Sequence, residues 1–220
     1  YQPVSFSIAQ TSWLGSKQDL SDLCTEADKY GVKVICDIVL NHMANDNTGK
    51  GYSERINEFE PEIFQNKETY FHQYDKNTSD ISIKDVTQAK LSDLPDLNTS
   101  NEYIQQRAIS LLKECVDCGV SGFRFDAAKH IFDQNELPNG TANMSLNKDF
   151  WVELRNAARK IKPNVFFNGE VLNKQIPSIG PYAPGFDSLW DFATEDILAA
   201  SVGSGATASL LKTLKRNVDG

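Results

Sequence analysis

One pattern constrains this chain more than any other: a helix, a Gly or Pro break and an apolar strand, three times in succession. Residues 17 to 30 place Leu20, Leu23, Cys24 and Ala27 on one helical face behind Ser16, a candidate N-cap, and Gly31 closes the helix. Val32 to Leu40 then reads as a strand apolar on both faces, as a parallel sheet covered by helices requires. Residues 101 to 118 repeat the theme. Ile104, Ala108, Leu111, Leu112 and Cys115 follow helical spacing, Gly119 is the stop, and Val120 to Ala127 is the strand. A third helix, from about residue 149 to 161, runs through Pro163 into a strand from Val165 to Val171. Such alternation predicts a parallel α/β fold.

Residues 44 to 95 break the rhythm. They are polar but carry Tyr52, Phe59, Phe64, Tyr70, Phe71 and Tyr74, more aromatics than a linker needs. A structureless loop of that length is unusual in a compact domain. The reading is a small inserted lobe leaving the C-terminal end of the strand that finishes at Leu40, the face where (β/α)₈ barrels grow functional loops. Setting the lobe aside leaves roughly 170 residues, short of the roughly 200 to 250 of a complete barrel. A barrel here is therefore an incomplete one, divided as 1–43 and 96–220 around the lobe at 44–95. A smaller doubly wound sheet fits the length without truncation, but no GxGxxG or phosphate-loop motif supports it.

Composition narrows the function. Lys and Arg total 22 against 30 Asp and Glu, a net charge of −8. That balance argues against nucleic acid and against a membrane surface as partners. With 40% hydrophobic and 24% charged residues, the chain is globular rather than disordered. The most apolar run, Val32 to Leu40, is far below the roughly 20 residues of a membrane span and contains Lys33 and Asp37. The chain opens on Tyr1-Gln2-Pro3-Val4 without Met, as if cut from something longer, so localisation stays open. Cys24, Cys36, Cys115 and Cys118 lack the spacing of a zinc or thioredoxin-like motif and read as ordinary thiols.

Three strand ends carry polar residues: Asp37-Ile38-Val39-Leu40-Asn41-His42, Gly122 to His130, and Phe167-Asn168-Gly169-Glu170-Val171. Arg124 and Asp126 are two apart in a strand and so share a face, while Phe123, Phe125 and Ala127 point to the helices. Taken alone, the pair reads equally well as a buried structural ion pair. Glu170 ends the next strand, and neighbouring strands lie about 4.8 Å apart. The two carboxyls would then face each other at roughly 5 Å, the separation of nucleophile and acid/base in retaining glycosidases. Arg124 would keep Asp126 ionised, and apolar flanks would keep Glu170 protonated. Asn41 offers a side-chain oxygen suited to calcium, and Asp96 a second, although Asp96 also reads as a turn residue before a helix. A lone His42 reads as a structural hydrogen-bonder, and His72 is given no role.

DIVLNH, LPDL, GFRFDAAKH and NGEV, in this order, resemble successive signature regions of the alpha-amylase family of glycoside hydrolases. YQPVSF resembles the segment after that family's second barrel strand, which makes the strand ending at Leu40 the third. The resemblance implies Asp126 as nucleophile, Glu170 as acid/base and Arg124 as positioner of the nucleophile, also matching a chloride ligand of chloride-dependent members. It implies Tyr1 stacking on the sugar, Gln2 lining the site, His42 bonding sugar hydroxyls, and Lys129 with His130 on the leaving-group side. Asn41, Asp96 and the His130 backbone carbonyl match the family's calcium ligands. Substrates would be α-glucans (starch, glycogen and malto-oligosaccharides), and the protein a monomer.

The pattern also departs from the family's. The signature ending in His-Asp, which supplies a third carboxylate, has no counterpart, since no His follows His130. Phe186 to Phe192 looks like the following strand. The chain thus resembles the middle of a catalytic domain, and the 220-residue piece alone is expected to be inactive and poorly stable. Lys129-His130 favours endo-hydrolysis of α-1,4-glucans over a transglycosylase or an exo-acting α-glucosidase, the second reading. Rival classes are a glucan-binding protein without activity, against which Asp126 and Glu170 argue for the parent protein but not for this piece by itself, and a zinc hydrolase on Asp37, His42 and His130, which lacks HExxH-like spacing. Asn77, Asn98, Asn139 and Asn143 begin Asn-x-Ser/Thr triplets, common by chance.

Overall fold

A computed structural model describes residues 1–8, 15–132, 148–172, 179–205, 208 and 212; the triplets at Asn139 and Asn143 lie outside them. Helix α1 (Lys17–Lys29) opens with a capping box, in which Ser16 Oγ accepts from Asp19 N and the Asp19 carboxylate accepts from Ser16 N. Strand β1 (Ile35–Val39) follows. Four short helices, α2 (Glu54–Phe59), α3 (Pro61–Gln65), α4 (Lys67–Tyr70) and α5 (Ile83–Thr87), occupy the aromatic-rich segment. Then come α6 (Glu102–Asp117), β2 (Gly122–Asp126), α7 (Lys148–Ile161), β3 (Phe166–Gly169), β4 (Ser188–Leu189) and α8 (Phe192–Ser204).

The four strands pair in chain order, β1-β2-β3-β4, all parallel. Each strand therefore lies beside its predecessor, and among the described strands the order never reverses. That is the arrangement of an arc of a (β/α)₈ barrel, whereas a doubly wound sheet changes direction at a switch point. The register aligns Asp37 with Arg124, Arg124 with Asn168, and Asn168 with Ser188.

The outward face of the sheet makes the core. Phe123, Phe125 and Phe167 are fully buried, and Phe125 lies 4.8 Å from Phe167 and 5.0 Å from Trp151 of α7, centroid to centroid. Trp151 packs on Phe186 at 4.9 Å and its indole N–H donates to Ala128 O at 3.2 Å. Each such ring contributes about 1.5–3 kcal/mol by burial. Helix α6 buries Ile104, Ala108, Leu112 and Cys115 at three- and four-residue spacing. Two expectations fail at the margins. Leu23 is exposed, and only Cys24 is buried on α1. Strand β1 is not covered on both faces, since Ile35 and Asp37 are open, because β1 is an edge strand of the described sheet.

Residues 44–95 do not carry a separate core. Ile56, Ile63, Tyr70 and Phe71 belong to the same hydrophobic cluster as Leu97, Ile104 and Phe123. Glu60, buried between α2 and α3, ties this segment to the rest. It accepts from Phe6 N at 2.7 Å and from Arg107 Nε and Nη2 at 3.1 and 2.6 Å. Removing one member of a buried ion pair strands the other's charge. Glu60→Ala, which leaves the Phe6 N–H and the partly exposed Arg107 without their acceptor, is therefore expected to cost about 1–3 kcal/mol in denaturant unfolding of the folded protein. A loss below about 1 kcal/mol would mean the pair does not anchor the segment.

Candidate active site

The site grows from the inner face of the sheet. Strand alternation sends Arg124 and Asp126 inward while Phe123 and Phe125 go to the helices, as their spacing predicts. Arg124 Nη1 donates to Asp37 Oδ1 at 2.6 Å and to Asp126 Oδ1 at 2.9 Å. Its Nη2 contacts Glu170 Oε2. One guanidinium thus holds carboxylates from three adjacent strands, Asp37 from within β1 and Asp126 and Glu170 from the ends of β2 and β3. It lies between two rings, 4.9 Å from the Trp190 centroid and 5.6 Å from that of Tyr1. Burial opposes the charge on Arg124, but its hydrogen bonds and charge contacts with Asp37 and Asp126 outweigh that and hold its pKa above the ordinary value.

The environment of Glu170 differs from the apolar one expected. Its flanks Gly169 and Val171 are buried, yet the carboxyl reaches Arg124 and is one-fifth exposed. The reason is register: Gly169 aligns with Phe125, so Glu170 falls beside Asp126. Its backbone N–H donates to Phe125 O, and its carbonyl accepts from Ala128 N, both at 2.9 Å. Gly169 is required there, because a Cβ would lie 2.8 Å from Phe186 Cε1 and 2.9 Å from Leu189 Cδ2.

Beyond Asp126 the chain turns through Ala127, whose φ of 51° is left-handed, into a 3₁₀ turn at Ala128–His130. That turn brings Lys129 and His130 to the lobe. Lys129 Nζ pairs with Asp80 at 3.0 Å, and His130 Nδ1 meets Val86 O at 2.7 Å. Burial lowers the His130 pKa to about 4, so its ring is neutral near pH 7.

Two cavities flank Asp126. One, about 370 Å³, is lined by Tyr1, Gln2, His42, Leu91, Ser92, Leu94 and Asp126. The other, about 110 Å³, is lined by Leu91, Asp126, Ala127, Lys129, His130, Glu170 and Leu172. His42 is buried, which lowers its pKa. Its Nε2 lies 3.1 Å from Tyr1 O, and Asn41 Nδ2 is 3.3 Å from its Nδ1. If the amide N–H donates to Nδ1, Nε2 carries the proton and donates to Tyr1 O. Tyr1 is exposed and its hydroxyl donates to Asp37 at 2.8 Å.

Asn41 and Asp96 come together where the end of β1 meets the return of the lobe. Leu97 N donates to Asn41 O at 2.8 Å, and His42 bridges Asp96 in antiparallel fashion. Both side chains are buried, and Asp96 Oδ2 lies 2.7 Å from His72 Nδ1. Among the described residues no cluster of three or more His, Cys, Asp or Glu forms a metal site. The zinc reading on Asp37, His42 and His130 gains nothing from that.

Sequence reasoning brought Arg124, Asp126, Glu170, His42, Lys129, His130, Tyr1 and Gln2 to the cleft and missed others. Asp37 was visible only as a poor zinc ligand; its inward parity with Arg124 was the signal. Trp190, whose indole N–H donates to Asn168 Oδ1 at 2.7 Å, and Leu91, which touches both cavities, carried none.

Residues 8–217 match the family model described as alpha amylase, catalytic domain. The alpha-amylase of Clostridium acetobutylicum is 35% identical over 206 residues, which is 93% of this chain and 26% of that protein. The structure of an alpha-amylase from Malbranchea cinnamomea superposes with a TM-score of 0.78 at 22% identity, over 98% of this chain and 42% of that one. A three-domain cyclomaltodextrin glucanotransferase superposes at 0.77 with 21% identity, over 100% of this chain and 44% of that one. The chain thus spans about a quarter of the Clostridium relative. Four parallel strands in chain order, a match over nearly the whole sequence and these likenesses place it, as part of a (β/α)₈ barrel, in the catalytic domain of the alpha-amylase family of glycoside hydrolases.

Proposed function

We propose that the protein carrying this chain hydrolyses internal α-1,4-glucosidic bonds of starch- and glycogen-type glucans with retention, Asp126 acting as nucleophile and Glu170 as acid/base. The observation that carries this reading is the pair of carboxylates on adjacent strand ends, gripped by one guanidinium and facing two cavities. Arg124 holds and aims Asp126 through its hydrogen bond. Glu170 leaves Arg124 Nη2, takes up a proton from solvent and passes it to the glycosidic oxygen while Asp126 attacks the anomeric carbon. Water then resolves the glycosyl-enzyme with Glu170 as base. Tyr1, Gln2 and His42 hold the sugar on one side, and Lys129 and His130 hold the leaving portion on the other. Residues 44–95 form the inserted domain whose Leu91 walls both halves. The family's pattern also calls for a third carboxylate, which has no counterpart in these residues, so the reading is for a monomeric protein that supplies one.

A related α-glucan transglycosylase or an exo-acting α-glucosidase is the second reading. Both would share the covalent step and differ in what resolves it. Chloride beside Arg124 is a further expectation, drawn from resemblance alone.

Asn41 and Asp96, both buried at the same junction, offer an amide oxygen and a carboxylate of the kind calcium, a hard cation, takes, and the resemblance adds the His130 carbonyl as a third donor. The ion would join the end of β1 to the return of the lobe and supply stability there, with no part in bond cleavage. Because it binds only the folded state, chelation is expected to lower the melting temperature of the longer protein and added calcium to restore it. An unchanged melting curve after verified metal removal would discard the ion.

The covalent mechanism predicts stereochemistry. Carboxyls on adjacent strand ends, which strand spacing sets roughly 5 Å apart, suit a nucleophile with its acid/base, whereas inversion needs roughly 6.5–9.5 Å to hold a water between them. The first product of starch cleavage is therefore the α-anomer, visible by proton NMR before mutarotation, and an initial β-anomer would refute Asp126 as nucleophile. Asp126→Asn should abolish turnover while fold and glucan binding persist. Glu170→Gln should recover mainly on substrates with good leaving groups. Wild-type rates in either variant would remove that residue from its role.

A further inference from the structure

Trp190 reaches the charge cluster from the end of β4 without carrying a charge of its own. Ser188 aligns with Asn168 and Asn168 with Arg124, so all three face the cleft. Trp190, two residues past Ser188, shares that face. Its backbone N–H donates to Gly169 O at 3.1 Å, next to Glu170. Its indole N–H donates to Asn168 Oδ1 at 2.7 Å. An indole N–H can only donate, so Asn168 turns its oxygen to the ring and its amide nitrogen to Ser188 Oγ, which it meets at 2.7 Å. Both the backbone and the ring edge of Trp190 are thus tied to β3, while its face meets a residue of β2. The guanidinium carbon of Arg124 lies 4.9 Å from the ring centroid.

Arg124 has a use for that contact. Its Nη1 serves Asp37 and Asp126 and its Nη2 meets Glu170, but the buried Nε has no hydrogen-bond partner among the described residues. Hydrogen bonds therefore hold the guanidinium at its tip, and packing holds the rest. In the mechanism above, Glu170 withdraws from Nη2 to serve as acid, which removes one of the tip contacts just as Asp126 attacks. We propose that Trp190 is a positioning residue whose ring holds Arg124 against Asp126 while Glu170 moves away.

This role presupposes the retaining mechanism and deepens it. An aromatic face suits the task, because it attracts the cation without offering an acceptor that would draw the guanidinium N–H groups from Asp126. A carboxylate or amide at position 190 would compete for those groups. Tyr1, the other ring near Arg124, is farther away at 5.6 Å, its hydroxyl is engaged by Asp37, and its face is assigned to the sugar.

The test compares the longer protein with its Trp190→Ala and Trp190→Phe forms on a malto-oligosaccharide and on α-maltosyl fluoride, whose leaving group needs no acid, and determines the crystal structure of each. Trp190→Ala is expected to lower kcat about 10- to 30-fold on both substrates and to leave KM within about threefold. Trp190→Phe keeps an aromatic face and is expected to hold kcat within about threefold of the unsubstituted enzyme. The guanidinium is expected to leave Asp126 in the Trp190→Ala crystal and to stay in the Trp190→Phe crystal. Should Trp190→Ala not fold, Trp190→Leu, apolar but without a π face, takes its place with the same expectations. Unchanged kcat in Trp190→Ala would overturn the proposal. So would a loss confined to KM, which makes the ring a sugar contact, or a loss confined to the malto-oligosaccharide, which makes it a partner of Glu170. Equal losses in the two variants, or an Arg124 that stays in place without the ring, would overturn it too. The mechanism itself is judged on the unsubstituted enzyme. An initial β-anomer there removes the mechanism, whereas an initial α-anomer with kcat untouched by Trp190→Ala removes only the role of Trp190.

Discussion

One buried guanidinium sets the terms for the rest of this molecule. Arg124 stands on the inner face of the sheet, where a lone charge would be costly, and three carboxylates from neighbouring strands answer it. Tyr1 and Trp190 close over its two sides. The same interaction fixes register. Slipping β2 by one residue would turn Arg124 and Asp126 toward Trp151 and Phe167 and turn Phe125 into the cleft. Fold and site therefore cannot vary independently, and the aromatic core on one face is the counterpart of the charge cluster on the other.

The lobe gives the cleft its wall by a different route. Leu91 reaches both cavities from a turn in which Ser92 and Asp93 have φ of 53° and 63°, left-handed values that non-glycine residues seldom adopt. Asn77 and Asp93 hold that turn through paired hydrogen bonds of 2.7 and 2.8 Å. Lys129–Asp80 and His130–Val86 join the turn after Asp126 to the lobe. Glu60 secures the lobe to α6 from the opposite side. The cleft is thus a seam between elements that share one hydrophobic cluster.

Much of this was legible in the sequence because it rests on local periodicity. The spacing of Ile104, Ala108, Leu112 and Cys115 marks α6 whatever its neighbours, and Ser16 announces the start of α1. The alternation of Arg124 and Asp126 with Phe123 and Phe125 gives the two faces of β2 without any knowledge of β1. What escaped depends on register between distant segments. Asp37 meets Arg124 only because β1 and β2 align as they do. Glu170 looked apolar from its flanks, yet it reads the charge of a residue 46 positions earlier in the chain. Leu23 and Ile35 looked like core and are exposed, since no described element covers them. The shapes of α2 to α5, each only four to six residues long, follow from packing around Ile56, Ile63 and Phe71 rather than from any period.

The central claim is that Arg124 presents Asp126, and not Glu170, as the group that bonds to the sugar. A fluorinated α-glucosyl fluoride, whose electron-poor ring slows breakdown of the glycosyl-enzyme, can trap that bond for peptide mapping by mass spectrometry. The account predicts a single added sugar on the peptide containing Gly122 to Lys129, located at Asp126. A sugar on Glu170, or inactivation without any covalent label while the compound is turned over, would contradict it.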